Sequence, residues 1–390
     1  MRILVAPDSF GGTLSAGEAA AAIAEGWHRT VPGDQLDVCP LSDGGPGFLD
    51  TLHAGLGGTL LSVTVLSPLR EPVPAAVLVV DADGVRTAYV ETAQAIGLPL
   101  VPLDRRDPTV TTTAGVGRLI EAALDAGANR IVVGLGGSAT NDAGAGMLGA
   151  LGVGPVEALG AGGLRLGEVQ PADLVGLAAV LERLSGVELV GAYDVDVPLL
   201  GLHGASGGFA AQKGATPEQA QELERSLGHF AQVVGQSLGS DLGRPDLLVG
   251  APRAPRLSTA PGTGAAGGLG FGLAVLGARL TPGSVVVAEA VGLSQRIAAV
   301  ELVVTGEGTF DWQSLHGKVV QAVATRALDA AVPTVVLAGQ VTIGRREWGA
   351  AGIAGAYAVA TSDAEVVASL ADPSGTLAAR AARLARTWSH

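Results

Sequence analysis

The 390-residue chain carries a net charge of −13, contains one cysteine, and is 48% hydrophobic but only 3% aromatic. The charge argues against a nucleic-acid partner, because phosphate backbones are bound by basic stripes; the lone Cys39 allows no internal disulfide and no thiolate metal cluster. Apolar runs are cut by Gly, Pro or charge before a spanning length of about 18 residues, so no membrane segment is expected.

That length suits two domains, and a core of Ala, Val and Leu suits helices packed on sheets, an α/β class. The N-terminus enters a strand-like run at residues 2–6 without a signal-peptide stretch or cleavage site, which points to the cytoplasm. A helix over 16–30 follows, with Ser15 and Glu18 spaced as a capping box. Strands are expected at 35–41, 76–80 and 87–90, then a helix at 115–126 and a strand at 130–133. Further on come a strand at 188–193, a helix at 217–238, a Pro- and Gly-rich loop at 248–268, a strand at 301–304, a helix at 319–330 and a strand at 334–338.

Several of these strands finish on an acid in a small-residue loop: Asp8, Asp43, Glu91, Asp142, Asp194 with Asp196, and Glu307. Any one of them is an ordinary cap or turn residue. Together they suggest a ligand crevice at the carboxyl ends of parallel strands, serving a hard divalent cation with phosphate or a hydroxyl that needs a base. The six histidines have no metal-ligand spacing, so zinc is not expected.

The glycine-rich stretches are weaker signals. Gly134, Gly136 and Ala139 match a dinucleotide fingerprint, as do Gly262, Gly264 and Gly267, but in a chain with 59 glycines the match has little weight. A Walker A loop is absent: Trp312 stands where its first glycine would be, and Val319 follows Lys318 where Ser or Thr should. Gly204 to Gly208 fits GxSxG around Ser206, without a strand before it to form a nucleophile elbow. The loop GLGGSATNDAGAG at 134–146 reads either as a cradle for anionic oxygens at a helix start or as a tight packing contact. Of 24 basic residues only Lys213 and Lys318 are lysines, and both adjoin glycine, where a compact point charge suits phosphate.

The sequence resembles the bacterial glycerate kinases that form 2-phosphoglycerate. The likeness rests on APDSF with TLSA, SDGGPG at 42–47, RDPTVTTTAGVG at 106–117, GLGGSATNDAGAGM at 134–147, YDVDVPL at 193–199, GASGGFAAQKGA at 204–215, GTGAAGGLG at 262–270 and TGEGTFDWQSLHGK at 305–318. It implies two α/β domains with the active site in the cleft between them: a Rossmann-like parallel-sheet domain from both chain ends, 1–66 and 285–390, and an inserted second domain, 67–284. It also implies transfer of a phosphoryl group from ATP, with Mg²⁺, to D-glycerate, with related hydroxy acids or a weakly active sugar-acid-binding paralogue as alternatives. No nucleic acid or membrane partner is implied, and a homodimer is compatible with it. Carried over residue by residue, the catalytic candidates are Asp43, Asp194 and Lys318. The binding candidates are Asp8, Ser9, Arg106, Ser138, Thr140, Asn141, Asp142, Lys213, Glu307, Ser314 and His316, with Asp194 and Glu307 as metal ligands. In this reading Ser138, Thr140 and Asn141 donate to anionic oxygens while Asp142 positions the acceptor hydroxyl or the metal.

Four departures stand out. Gly11 replaces a usual Lys, Pro46 a carboxylate, Val197 an Asn and Thr309 a common Arg. Two lost cations would weaken binding of an anionic substrate if those groups touch it.

Overall fold

The computed structural model describes residues 1–238 and 257–389, so the part of the expected 248–268 loop before residue 257 lies outside the described residues. The chain divides into two units, one of residues 1–43, 50–57 and 283–390, the other of 44–49 and 58–282.

The first unit is built on a five-stranded, all-parallel sheet in the order Ile353–Ala358, Thr334–Ala338, Leu302–Thr305, Arg2–Val5, Gln35–Val38. Chain order reverses beside the strand Arg2–Val5. The next strand in sequence lies on one side of it, while the returning chain adds strands on the other. Such a switch point leaves a crevice at the carboxyl ends of Arg2–Val5 and Leu302–Thr305. The central strands are buried on both faces, Ile3, Val5, Leu302 and Val304 being fully inaccessible, as expected where helices cover a parallel sheet.

The helix Ala16–Thr30 forms as expected. Ser15 accepts from the Glu18 backbone while Glu18 reaches back to the Ser15 amide, and a face with Ala19, Ile23 and Trp27 is buried. Gly26 lies on that face because a Cβ there would sit 2.0 Å from the Ala378 carbonyl oxygen in the C-terminal helix Pro373–Trp388.

In the second unit six strands follow one another in chain order: Thr59–Leu66, Pro72–Ala82, Val85–Glu91, Arg130–Leu135, Glu188–Tyr193 and Arg279–Pro282. The first three pair antiparallel and the last four parallel, giving a mixed sheet. Thr59–Leu66, expected in the first domain, is the edge strand of this sheet. A cluster including Val133, Leu148, Phe230 and Phe271 packs its faces.

Helices were expected at 115–126, 217–238 and 319–330; they run Ala114–Asp125, Pro217–Ser237 and Val319–Asp329. The described end of the expected 248–268 loop holds a 3₁₀ turn at Leu257–Thr259, and Ala266 to Gly268 are left-handed, so regular helix within Ala265–Val275 begins only after them. Among the described residues no helix is long and apolar enough to cross a membrane.

Candidate active site

Two groups of polar residues sit at carboxyl ends of strands, one in each unit. In the first unit, Asp8 and Ser9 follow the strand Arg2–Val5 and Glu307 follows Leu302–Thr305, across the switch point. The Asp8 amide donates to the Gly306 carbonyl at 2.8 Å, tying the two strand ends together. Asp8, Ser9, Asp43, Glu307 and Lys318 all line one cavity of about 430 Å³. Within it the Lys318 ammonium donates to Asp43 Oδ2 at 2.6 Å, a partly buried ion pair.

The carboxylates there are crowded. Burial, then the negative charges of Asp43 and Glu307, push Asp8 up to about 8, against the Ser9 amide and Lys318. Glu307 is pushed up to about 7, again mainly by burial, with Asp311 and Asp43 adding to the rise and Ser314 and Lys318 opposing it. Glu307 Oε1 is buried and has no hydrogen-bond partner. These are hard oxygen donors. Among the described residues, however, no group of three or more His, Cys, Asp and Glu side chains is arranged to hold a metal ion.

Of the other candidates in this unit, Ser314 is buried and caps its own turn, accepting from the Asp311 amide at 3.0 Å. His316 stays outside the cavity lining and stacks on exposed Trp312, with ring centroids 3.9 Å apart.

In the second unit the strands ending at Glu91, Leu135 and Tyr193 run parallel, so Glu91, the 134–146 loop and Asp194 emerge on one side. Much of the loop is a packing device. A Cβ on Gly136 would lie 2.3 Å from Gly45 Cα, one on Gly134 2.8 Å from the Gly44 carbonyl oxygen, and one on Gly146 2.1 Å from the Thr112 hydroxyl. Glu91 holds the same 44–49 segment, accepting from the amides of Gly47 and Leu49 at 3.2 and 3.0 Å.

Asp142 is held by protein donors on both of its oxygens. It is fully buried, and Oδ2 accepts from the Thr113 amide and hydroxyl at 2.8 and 3.0 Å and from the Gly146 amide at 3.3 Å. Oδ1 accepts from the Gly144 amide at 3.1 Å. Both oxygens are thus engaged in fastening the loop to the start of the helix Ala114–Asp125, although burial raises the carboxyl above its ordinary value. Nothing in the sequence marks Thr113 as its partner across 29 positions.

Lys213 is also buried, and its ammonium donates to the Ser138 hydroxyl at 2.9 Å and the Thr140 carbonyl at 2.7 Å. Burial lowers it to about 8, with the charges of Asp194 and Asp142 opposing that fall. Asn141 donates through Nδ2 to Ser206 at 3.1 Å, while its Oδ1 and the Thr140 hydroxyl are buried without a partner. Ser206, only 1% exposed in the short helix Ala205–Phe209, is no nucleophile on an elbow. The Arg106 backbone packs against Gly214, the residue after Lys213: at φ +103° a Cβ on Gly214 would meet the Arg106 carbonyl oxygen at 2.2 Å, while the Arg106 side chain donates to the Val101 carbonyl at 3.4 Å. The 262–268 segment is used in the same way, Ala266, Gly267 and Gly268 all being left-handed and a Cβ on Gly267 falling 1.8 Å from the Thr140 carbonyl oxygen. That spacing serves backbone contact, not a dinucleotide.

The family model for the glycerate kinase family matches residues 3–389. The chain belongs to the glycerate kinase family. Similar proteins include a glycerate kinase of Bacillus subtilis, 42% identical over 347 residues, with 88% of this chain and 86% of that protein covered. A glycerate 2-kinase of Escherichia coli is 41% identical over the same length, with the same coverage of each chain. A crystal structure from Salmonella typhimurium LT2 assigned as a glycerate kinase 2 superposes with a TM-score of 0.78 at 36% identity, covering 99% of this chain and 98% of that one. Mixed α/β architecture with parallel sheets is therefore a property this chain shares with a solved relative across the whole length of the glycerate kinase fold.

Proposed function

We propose that the protein transfers the γ-phosphoryl group of ATP to the C2 hydroxyl of D-glycerate, forming 2-phosphoglycerate. The family match along residues 3–389 supports the reaction class. The observation that carries its location is the cavity at the strand switch point, where Lys318, Asp43, Asp8 and Glu307 meet.

Phosphoryl transfer needs positioning and charge neutralisation more than covalent chemistry. Lys318 supplies a compact positive charge for phosphoryl oxygens. Asp43, fixed by that same ammonium, is placed to accept the proton from the attacking hydroxyl, and Ser9 offers a further hydrogen-bonding group on the cavity wall. In the second unit Lys213 holds Ser138 and the Thr140 backbone in place, so that the unpartnered Thr140 hydroxyl and Asn141 Oδ1 keep fixed directions.

Mg²⁺ belongs to this proposal, and the donor set suits it. Glu307 has a buried, unpartnered oxygen, Asp8 lines the same cavity, and Mg²⁺ keeps several waters, so it needs only one or two carboxylates. When bound it would neutralise charge on the phosphates. Asp194, the other metal candidate, stands at its own strand end beside Gly136, whose Cβ would be 3.3 Å from its carboxylate.

A cytoplasmic setting suits a chain whose single cysteine, Cys39, is buried and has no second cysteine to pair with. The net charge of −13 supports a small-molecule partner over nucleic acid, and a homodimer is to be read from solution mass. The test of function is ADP release with ATP, Mg²⁺ and a panel of hydroxy acids. D-Glycerate should give the highest kcat/KM; preference for another acid would move the assignment within hydroxy-acid kinases, and no turnover with any would remove it.

A further inference from the structure

Of the residues lining the cavity in the first unit, Asp8, Asp43 and Glu307 follow the strands Arg2–Val5, Gln35–Val38 and Leu302–Thr305, whereas Val359 and Ala360 follow Ile353–Ala358 at the opposite edge of the sheet. The lining also includes the apolar side chains of Leu14, Val366, Leu370 and Leu377. Glycerate carries an oxygen on every carbon and gains nothing from such a wall. A cavity of about 430 Å³ is within the usual size range of small-molecule sites, which combine an apolar lining with a few placed polar groups.

The two sides of this apolar end differ. One is rigid: the Val359 amide donates to the Ala338 carbonyl at 2.8 Å and the Ala360 amide to the Gly339 carbonyl at 3.0 Å, fixing that segment to the end of the parallel sheet. The other is the helix Asp363–Ala371, which has no buried residue. Its Leu370 is 61% exposed although it lines the cavity. A flat apolar group between the two sides would cover surface that the protein itself leaves wet. Gln340 and Ser369 line the same space and offer side-chain donors and acceptors for the edge of such a group or for sugar hydroxyls.

We propose that this apolar end holds the nucleoside of ATP, with the base between the Val359–Ala360 segment and Leu370 and the phosphates directed toward Lys318. The assignment rests on the kinase reading above and adds the place of the nucleotide. Continuity with the Lys318 end selects this occupant, because a nucleoside triphosphate joins one flat, weakly polar end to one highly charged end, as the cavity does.

The experiment is calorimetric titration of the parent protein and of Leu370→Asp and Gln340→Ala with ADP and, separately, inorganic tripolyphosphate, alongside KM values for ATP and D-glycerate. Both positions are exposed, so melting temperatures should stay near that of the parent. Leu370→Asp should weaken ADP binding and raise the KM for ATP tenfold or more, by about one decade per 1.4 kcal/mol lost, while tripolyphosphate binding and the KM for D-glycerate stay within about twofold. Gln340→Ala should show the same pattern at roughly threefold. If both variants bind ADP like the parent, or if Leu370→Asp raises the KM for D-glycerate instead, the nucleoside is not in this cavity, although the kinase reading survives. Failure of the parent to bind ADP or to turn over would count against both.

Discussion

The 134–146 loop of the second unit and the strand-end acids of the first look alike as sequence: both are small-residue loops after a strand, with polar side chains. As structure they are opposites. In the loop, the glycines let backbones touch, and Asp142 spends both oxygens on protein donors. Around the switch point, Asp8, Asp43, Glu307 and Lys318 face a cavity, and burial and mutual repulsion shift two of the carboxyl groups upward. A carboxylate whose oxygens are all engaged by protein donors fastens the fold, whereas one kept near like charges beside open space is accessible to a ligand.

The same substitution in the two places separates them. Asp43→Asn removes the charge beside Lys318 and should lower kcat by about a thousandfold, within the range lost with a positioned base, while the melting temperature hardly moves. Asp142→Asn should do the reverse. An amide group cannot accept from every donor around it, and leaving buried N–H groups without an acceptor should cost about 3 kcal/mol of stability, read by chemical denaturation. A stable Asp142→Asn protein with lost turnover would show that the loop takes part in the chemistry after all.

Lys318→Ala should lower kcat/KM by about a hundredfold, compared with no measurable effect for a control at exposed Arg225. Gly136→Ala tests the packing half of the comparison. Its Cβ would fall on the Gly45 backbone, so a loss of about 1 to 3 kcal/mol in unfolding free energy is expected.

The smallest effect belongs to Gly11. It lines the cavity and a Cβ there meets nothing within 4 Å, so a side chain can be added freely at the position where the family resemblance implies Lys. Gly11→Lys should lower the KM for D-glycerate by roughly tenfold if the lost cation was a substrate contact. An unchanged KM with damaged turnover of another hydroxy acid would show a pocket reshaped for that acid.

How legible each region was follows from where its determinants lie. Ala16–Thr30 could be read because its cap and its apolar spacing are local, and Arg130–Leu135 because a β-branched run is local. Ile353–Ala358 could not: IAGAYA has one β-branched residue, and its strand conformation comes from pairing with Thr334–Ala338. Thr59–Leu66, by contrast, carries a usable signal in its alternating Leu61, Val63 and Val65. The acids of the switch point were visible as strand-end residues, but the Lys318–Asp43 pair joins positions 275 apart. The engagement of Asp142 could not be read, because sequence names its acceptors and not the backbone donors that reach them. The apolar wall of the cavity left no mark in any motif, since Val359, Ala360 and Leu370 are brought to the strand ends only by the sheet order.

The product of the reaction tests the central claim most directly. With ATP, Mg²⁺ and D-glycerate, proton-coupled phosphorus NMR should show a new phosphomonoester split into a doublet by the single proton on C2, the signature of 2-phosphoglycerate. A triplet from a phosphate on the C3 methylene would contradict the assigned hydroxyl, and inorganic phosphate without any ester would contradict the kinase itself.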